Sequence, residues 1–142
     1  MALLEVKDLN VRFPTEDGVV HAVRDVSFTV DNGEVLGIVG ESGSGKSVTN
    51  LAVMSLLPRS TQIEGSILYD GNEIVGLPRQ RQTAFRGSEI GMIFQDPMTS
   101  LNPVYTIGWQ LAEAVRAHTK VARAEAQGRA VELLDLVGIP QA

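Results

Sequence analysis

The chain has no cysteine. That excludes disulfides and thiolate metal sites within these residues and agrees with a reducing compartment. Long hydrophobic runs are also missing. A stretch such as Val35–Val39 falls far short of the ~20 apolar residues that a membrane-spanning helix needs, so any association with a membrane must go through a partner. The amino terminus, Met1 to Val6, lacks the basic stretch, hydrophobic core and small-residue cleavage site of a secretory leader, so a cytoplasmic location is expected. A cationic surplus is absent too: 12 Lys and Arg face 17 Asp and Glu, for a formal charge of -5. Neutralising a phosphate backbone needs the opposite balance, so a general nucleic-acid binder is disfavoured and any anion site must be local. The two histidines, His21 and His118, show no metal-ligand spacing and receive no role.

What is present is an ordinary globular balance over 142 residues, 44% hydrophobic and 20% charged, enough for one domain. Residues 3–12 and 19–30 carry Val, Phe and Thr on either side of Pro14-Thr15-Glu16-Asp17-Gly18, which predicts an antiparallel hairpin. After the turn residues Asp31-Asn32-Gly33, the nearly all-apolar Val35–Val39 reads as a strand covered on both faces and central to a sheet. Helical spacing of Val48, Leu51, Ala52, Met54 and Ser55 predicts a helix from Lys46 to Leu57, ended by Pro58. Ile63–Tyr69 alternates as a strand into Asp70-Gly71, Arg79–Phe85 suits a short charged helix, and Ile90–Phe94 reads as a second buried strand. Gln95–Pro103 is a loop. Two amphipathic helices follow, one through Ile107, Leu111, Ala114 and Val115, the other through Val121, Ala124, Val131, Leu134 and Val137.

One motif carries chemistry. Gly40-Glu41-Ser42-Gly43-Ser44-Gly45-Lys46-Ser47 fits G-x-x-x-x-G-K-[ST], and it stands between a predicted strand and a predicted helix. Glycines let the backbone turn its N–H groups around phosphate oxygens, and the helix beginning near Gly45 presents the positive end of its dipole. Lys46 would reach the β- and γ-phosphates of ATP or GTP, and the Ser47 hydroxyl would ligate Mg²⁺, which prefers oxygen. A plain Gly/Ser turn leading into a helix is the alternative. The motif supports nucleotide binding without naming a reaction.

Beside that loop, Ile93-Phe94-Gln95-Asp96-Pro97-Met98-Thr99-Ser100-Leu101-Asn102-Pro103 resembles the Q-loop region of ABC-transporter ATPases that energise oligopeptide, dipeptide or nickel uptake. The form of Gly40–Ser47 and the hairpin before it are similar to that family as well, and the resemblance covers essentially the whole chain. It implies an α/β fold of the P-loop NTPase class, an ABC-type ATPase domain with an N-terminal antiparallel β-subdomain. Residues 1–33 would form that subdomain, 34–95 the P-loop core with inserted strands, and 96–142 the Q-loop and the start of a helical subdomain.

The same resemblance assigns roles. Phe13 would stack on the adenine; Gly40 and Ser42, Gly43, Ser44, Gly45, Lys46 and Ser47 would hold the phosphates; Gln95 would touch Mg²⁺ and the attacking water. Catalytic duty would thus fall on Lys46 and Gln95, metal binding on Ser47 and Gln95. Read without the resemblance, Phe13 suits a hairpin core equally, Gln95 a solvated loop, and Trp109 a core anchor. Asp96–Trp109 would dock on an integral membrane permease subunit, placing the protein on the inner face of the cell membrane. A second ATPase domain would pair with it head to tail, and a solute-binding protein would act indirectly. The signature motif, the Walker B aspartate, the catalytic glutamate and the switch histidine of the family do not occur in these residues. The resemblance therefore implies a domain truncated before the signature motif, and this chain alone is expected not to hydrolyse ATP. Competing readings are a nucleotide-binding module without turnover and another P-loop enzyme such as a small-molecule kinase.

Overall fold

A computed structural model describes residues 2–96 and 100–140. Its backbone divides into two units, residues 1–86 and 87–142. In the first, the β-branched and aromatic residues ahead of Asp31 form β1 (Leu4–Thr15) and β2 (Gly18–Val30), antiparallel, with Thr15 opposite Gly18. Gly18 takes a φ of 128°, and the Thr15 hydroxyl donates to its carbonyl at 2.8 Å, which closes the turn. The expected hairpin is present and longer than its apolar pattern suggested. β3 (Gln62–Tyr69) pairs on the other side of β1, and the short β4 (Asn72–Glu73) pairs with β3, so the sheet order is β2-β1-β3-β4 with every pair antiparallel.

The core shows why β1 is not a simple alternating strand. Val6, Leu9 and Val11 are all buried, together with Ile67. Val6 and Leu9 are three residues apart, and strict alternation would send them to opposite faces. A bulge resolves the conflict: the register shifts between Val6 and Leu9, and Asp8 adopts a left-handed φ of 49°. Polar groups pin it. The Asp8 N–H donates to Ser27 Oγ at 2.8 Å, that hydroxyl donates to Asp8 Oδ1 at 3.3 Å, and Asn10 Nδ2 donates to the Asp8 carbonyl at 3.0 Å. Opposite the bulge, a Cβ on Gly65 would lie 2.5 Å from the carbonyl oxygens of Lys7 and Asp8, so β3 needs glycine there. His21 joins the same network through Asn10 Oδ1 at 3.0 Å.

α1 (Lys46–Val53) packs on β1 and β2 through a face that buries Thr49, Ala52 and Val53. It is shorter than its spacing predicts. Ser55 turns left-handed, with φ 52°, its N–H bonded to the Ala52 carbonyl, and that ends the helix before Pro58 is reached. α2 (Arg79–Phe85) matches the expected short helix, and Phe85 meets Tyr69 edge-on with ring centroids 6.1 Å apart.

The second unit holds α3 (Ile107–His118) and α4 (Arg123–Leu136), packed on each other. Their inward faces differ from the expected stripes. Ala112 is the buried residue of α3, and Ala126 and Ala130 those of α4, while Val131 and Val137 are exposed. Small alanines let the two helices approach closely, and a pattern weighted toward large side chains overlooks them.

Two expected strands do not form. Val35–Val39 carries no ladder pairing among the described residues, and Val35 and Val39 are 94% and 92% exposed. Ile90–Phe94 is likewise unpaired apart from a one-residue bridge at Ile90, and Ile93 is 98% exposed. A strand exists only with a neighbour whose N–H and C=O groups it can match, and an apolar run by itself does not supply one.

Candidate functional site

An anion-holding loop needs inward N–H groups and nothing in their way. Gly43 and Gly45 have φ of 81° and 91°, conformations that a side chain resists. A Cβ on Gly45 would sit 2.5 Å from the Ala22 carbonyl oxygen and 3.4 Å from Val23 Cγ2, so glycine alone lets the start of α1 lie this close to β2. Ala22 is placed by a second bulge. Val11 faces Val23 and Arg12 faces His21, which leaves Ala22 as the extra residue. Gly40 is tight as well, because a Cβ there would meet Ser44 Oγ at 2.7 Å.

α1 begins at Lys46 with Gly45 as its N-cap and with no side chain capping it. The N–H groups of its first turn have no partner within the helix and face outward with the positive end of its dipole. Lys46 closes the loop from inside: Nζ donates to the carbonyls of Gly40 at 2.6 Å and Glu41 at 2.7 Å and to Ser44 Oγ at 3.3 Å. One ammonium thus spans the loop from its first residue to its fifth, and all three donors are directed into its bowl. Two hydroxyls of the helix divide their tasks. Thr49 is buried and donates to the Gly45 carbonyl at 3.0 Å, whereas Ser47 is exposed and its hydroxyl has no partner among the described residues. Thr49 was not singled out from the sequence, although a hydroxyl four residues after a helix-opening glycine is at the spacing for this bond.

Phe13 lies on β1 opposite Val20 and is half-buried. It is two residues from Val11 and so shares the strand face of the residue whose partner, Val23, backs Gly45. The guanidinium of neighbouring Arg12 is committed to Glu64 at 2.7 Å; that hydrogen bond and the charge of Arg12 hold the Glu64 carboxyl below its ordinary value.

Gln95 is exposed in a loop of the second unit, whereas the phosphate loop and Phe13 belong to the first. Residues 97–99 of the Q-loop-like stretch lie outside the described residues. Beyond them the chain is well tied: the Gln110 amide accepts from the Asn102 N–H at 2.8 Å and donates to the carbonyls of Asn102 at 2.9 Å and Tyr105 at 3.0 Å. Thr106 caps α3 by accepting from the Trp109 N–H at 3.3 Å. Tyr105 and Trp109 stack with centroids 4.5 Å apart, and with Val104 and Ile107 they form an exposed apolar surface. Trp109 faces solvent there rather than anchoring a core. His118 packs its ring against Gly87. Among the described residues there is no cluster of potential metal ligands among His, Asp and Glu, and no helix is long and apolar enough to cross a membrane.

The glycine loop opens a helix as the phosphate-loop motif requires, while the strand expected ahead of it, Val35–Val39, is unpaired among the described residues. The comparisons make the class specific. The ABC transporter family profile matches residues 23–141, and the chain belongs to that family. It is 54% identical over 140 residues to the oligopeptide transport ATP-binding protein OppD of Bacillus subtilis, covering 97% of this chain and 39% of that protein. Identity is 51% over 141 residues to OppD of Escherichia coli, with 99% and 42% covered, and 49% over 142 residues to the dipeptide transport ATP-binding protein DppD of Lactococcus lactis, with 99% and 41% covered. The chain therefore spans less than half the length of these relatives. Among solved structures it superposes on the ATP-binding cassette MJ0796, a dimer bound to ADP and Pi, with a TM-score of 0.76 at 24% identity, over 94% of this chain and 56% of that one. The fold is that of an ABC ATPase cassette.

Proposed function

We propose that the chain supplies the nucleotide-gripping part of an ATPase subunit that drives import of peptides or related solutes. The observation that carries this reading is the loop itself: left-handed glycines, an uncapped helix start and Lys46 drawn across the bowl. Backbone N–H groups of 42–47 would bind the phosphates of ATP, and Lys46 would exchange its carbonyl partners for β- and γ-phosphate oxygens. Phe13 would stack on the adenine. The donor set suits Mg²⁺, since Ser47 presents a free hydroxyl at the helix start; Ser47 and Gln95 would hold the ion, which supplies charge neutralisation on the phosphates. Gln95 would orient the water that attacks the terminal phosphorus as the bond to the ADP oxygen breaks.

The names of the relatives support peptide transport, and the dimeric cassette supports pairing with a second ATPase domain. The exposed Tyr105–Trp109 surface is the candidate contact for membrane permease subunits, which would hold the protein at the inner face of the membrane. A solute-binding protein would take part only indirectly. The test is calorimetric titration of the chain with ATP and Mg²⁺. Lys46→Ala should lower affinity about 10- to 100-fold, because a charge-assisted bond worth about 1.5–3 kcal/mol is lost. Undiminished affinity would overturn the assignment.

A further inference from the structure

The start of α1 rests on a stretch of β2 that is out of step with β1. His21 and Val26, five residues apart, face Arg12 and Leu9, three apart, so two residues of β2 have no opposite number. One is the bulge at Ala22, whose carbonyl oxygen would lie 2.5 Å from a Cβ on Gly45. The other falls in the step Arg24–Asp25, where Asp25 holds a left-handed φ of 53°. Two irregularities this close leave backbone groups off the ladder, and the ladder alone does not fix the course of β2 between them.

A single side chain ties both. Asn10, half-buried on β1, accepts through Oδ1 from the Asp25 N–H at 3.2 Å and bonds His21 Nε2 at 3.0 Å, while its Nδ2 donates to the Asp8 carbonyl at 3.0 Å. Two backbone groups thereby orient the amide, since an N–H is met only by its oxygen and a carbonyl only by its nitrogen. His21 Nε2 must then carry the hydrogen and donate it. The amide oxygen grips β2 immediately before Ala22 and again at Asp25. Between the two grips lie Ala22 and the buried Val23, the residues that a Gly45 Cβ would meet.

We propose that Asn10 is a positioning residue for the phosphate loop, with His21 as its second anchor. The amide sets how far β2 bows toward α1, and so where Gly45 and the N–H groups after it stand. It acts through Ala22 and Gly45, not on the nucleotide. From the helix side the Thr49 hydroxyl holds the Gly45 carbonyl at 3.0 Å, so the Ala22 contact is the sheet's share in seating the loop. The proposal rests on the reading of this loop as a nucleotide site, and clamp and loop belong to the same unit.

The experiment is calorimetric titration of the whole 142-residue chain with ATP and Mg²⁺ and with inorganic triphosphate, joined to the amide NMR spectrum of the free chain. Asn10→Ala should weaken both ligands alike, by about tenfold, the upper end of what one neutral hydrogen bond contributes. His21→Leu should weaken both in the same way. His21→Gln should stay within about twofold of the unaltered chain, because its amide offers an N–H near the place of Nε2. In the free chain, Asn10→Ala and His21→Leu should move the amide signals of Gly45 and Lys46, and His21→Gln should leave them in place. Glu73→Gln, at the opposite edge of the sheet from β2, should bind triphosphate unchanged, which separates loss of the seat from loss of stability.

A loss of ATP affinity with triphosphate unaffected overturns the proposal, since the amide would then act on the base. His21→Gln as weak as His21→Leu overturns it too. Triphosphate binding unchanged in Asn10→Ala but weakened in Lys46→Ala overturns it and leaves the nucleotide reading standing. Should Asn10→Ala fail to fold, the two His21 variants decide. Should Lys46→Ala bind unchanged, the nucleotide reading falls, and the free-chain signals of Gly45 and Lys46 decide: moved by Asn10→Ala they support the clamp, unmoved they overturn it.

Discussion

β1 and the segment Val35–Val39 both draw their apolar residues largely from valine and leucine, yet the first is the centre of the sheet and the second stands uncovered. β1 has a hydrogen-bonded neighbour on each side, β2 and β3, and its Val6, Leu9 and Val11 are sealed from water. Val35–Val39 has no ladder partner among the described residues, and its two outer valines are almost wholly exposed. The difference teaches that apolar content states only what a segment gains by being covered. Which segment covers it is decided by chain elements elsewhere.

The sharpest way to break the comparison is to cut the same kind of side chain from each place. Leu9→Ala should cost about 2–5 kcal/mol, because it opens a cavity in a closed core; urea unfolding would read it. Should the loss fall well under 1 kcal/mol, β1 is not the structural centre described above.

Phe13→Ala comes next, about 1–3 kcal/mol in ATP affinity if the ring stacks on the base. The loss should be specific to adenine. Equal weakening of ATP and inorganic triphosphate would make Phe13 a sheet residue with no stacking role.

Glu73 tests what polar groups do for the sheet. Burial pushes its carboxyl up, but the Ser66 hydroxyl and the N–H groups of Ile67, Val75 and Ile74 outweigh that and hold it below its ordinary value of 4.5. A carboxyl whose folded value is depressed stabilises fully above the unfolded value and loses that contribution as pH falls through the folded one. Glu73→Gln should therefore destabilise at neutral pH, by no more than about 1 kcal/mol since the group stays in contact with solvent. Unfolding curves of the two proteins should converge as pH drops below 4.5. A gap that widens with acid would contradict the assignment.

Val35→Ala is the smallest effect, within about 0.5 kcal/mol, as for surface positions generally. A loss as large as that of Leu9→Ala would mean that the segment is covered in solution, and would erase the contrast between the two regions.

Much of this was legible from residue order. The hairpin, α2, α3, α4 and the phosphate loop all follow from signals that act over a few residues: turn chemistry, helical spacing, and glycines ahead of a lysine. Less legible was anything that depends on a distant neighbour. Ala126 and Ala130 form the inner face of α4 because α3 packs there, and the spacing of Val131 and Val137 pointed to another face. The left-handed turn at Ser55 was hidden because serine gives no local hint of it.

By itself, the residue order set the chemistry proposed for the loop, since Gly43, Gly45, Lys46 and Ser47 would have to stand together for the backbone to cradle phosphate there. Tertiary structure alone decided how that loop is seated. A bulge at Ala22 sets a carbonyl against Gly45, and a bulge at Asp8, matched by Gly65 across the sheet, turns Val6 and Leu9 toward one core. Both are settled between strands far apart in sequence, where register and close approach are properties of the pair and cannot be read from either strand alone.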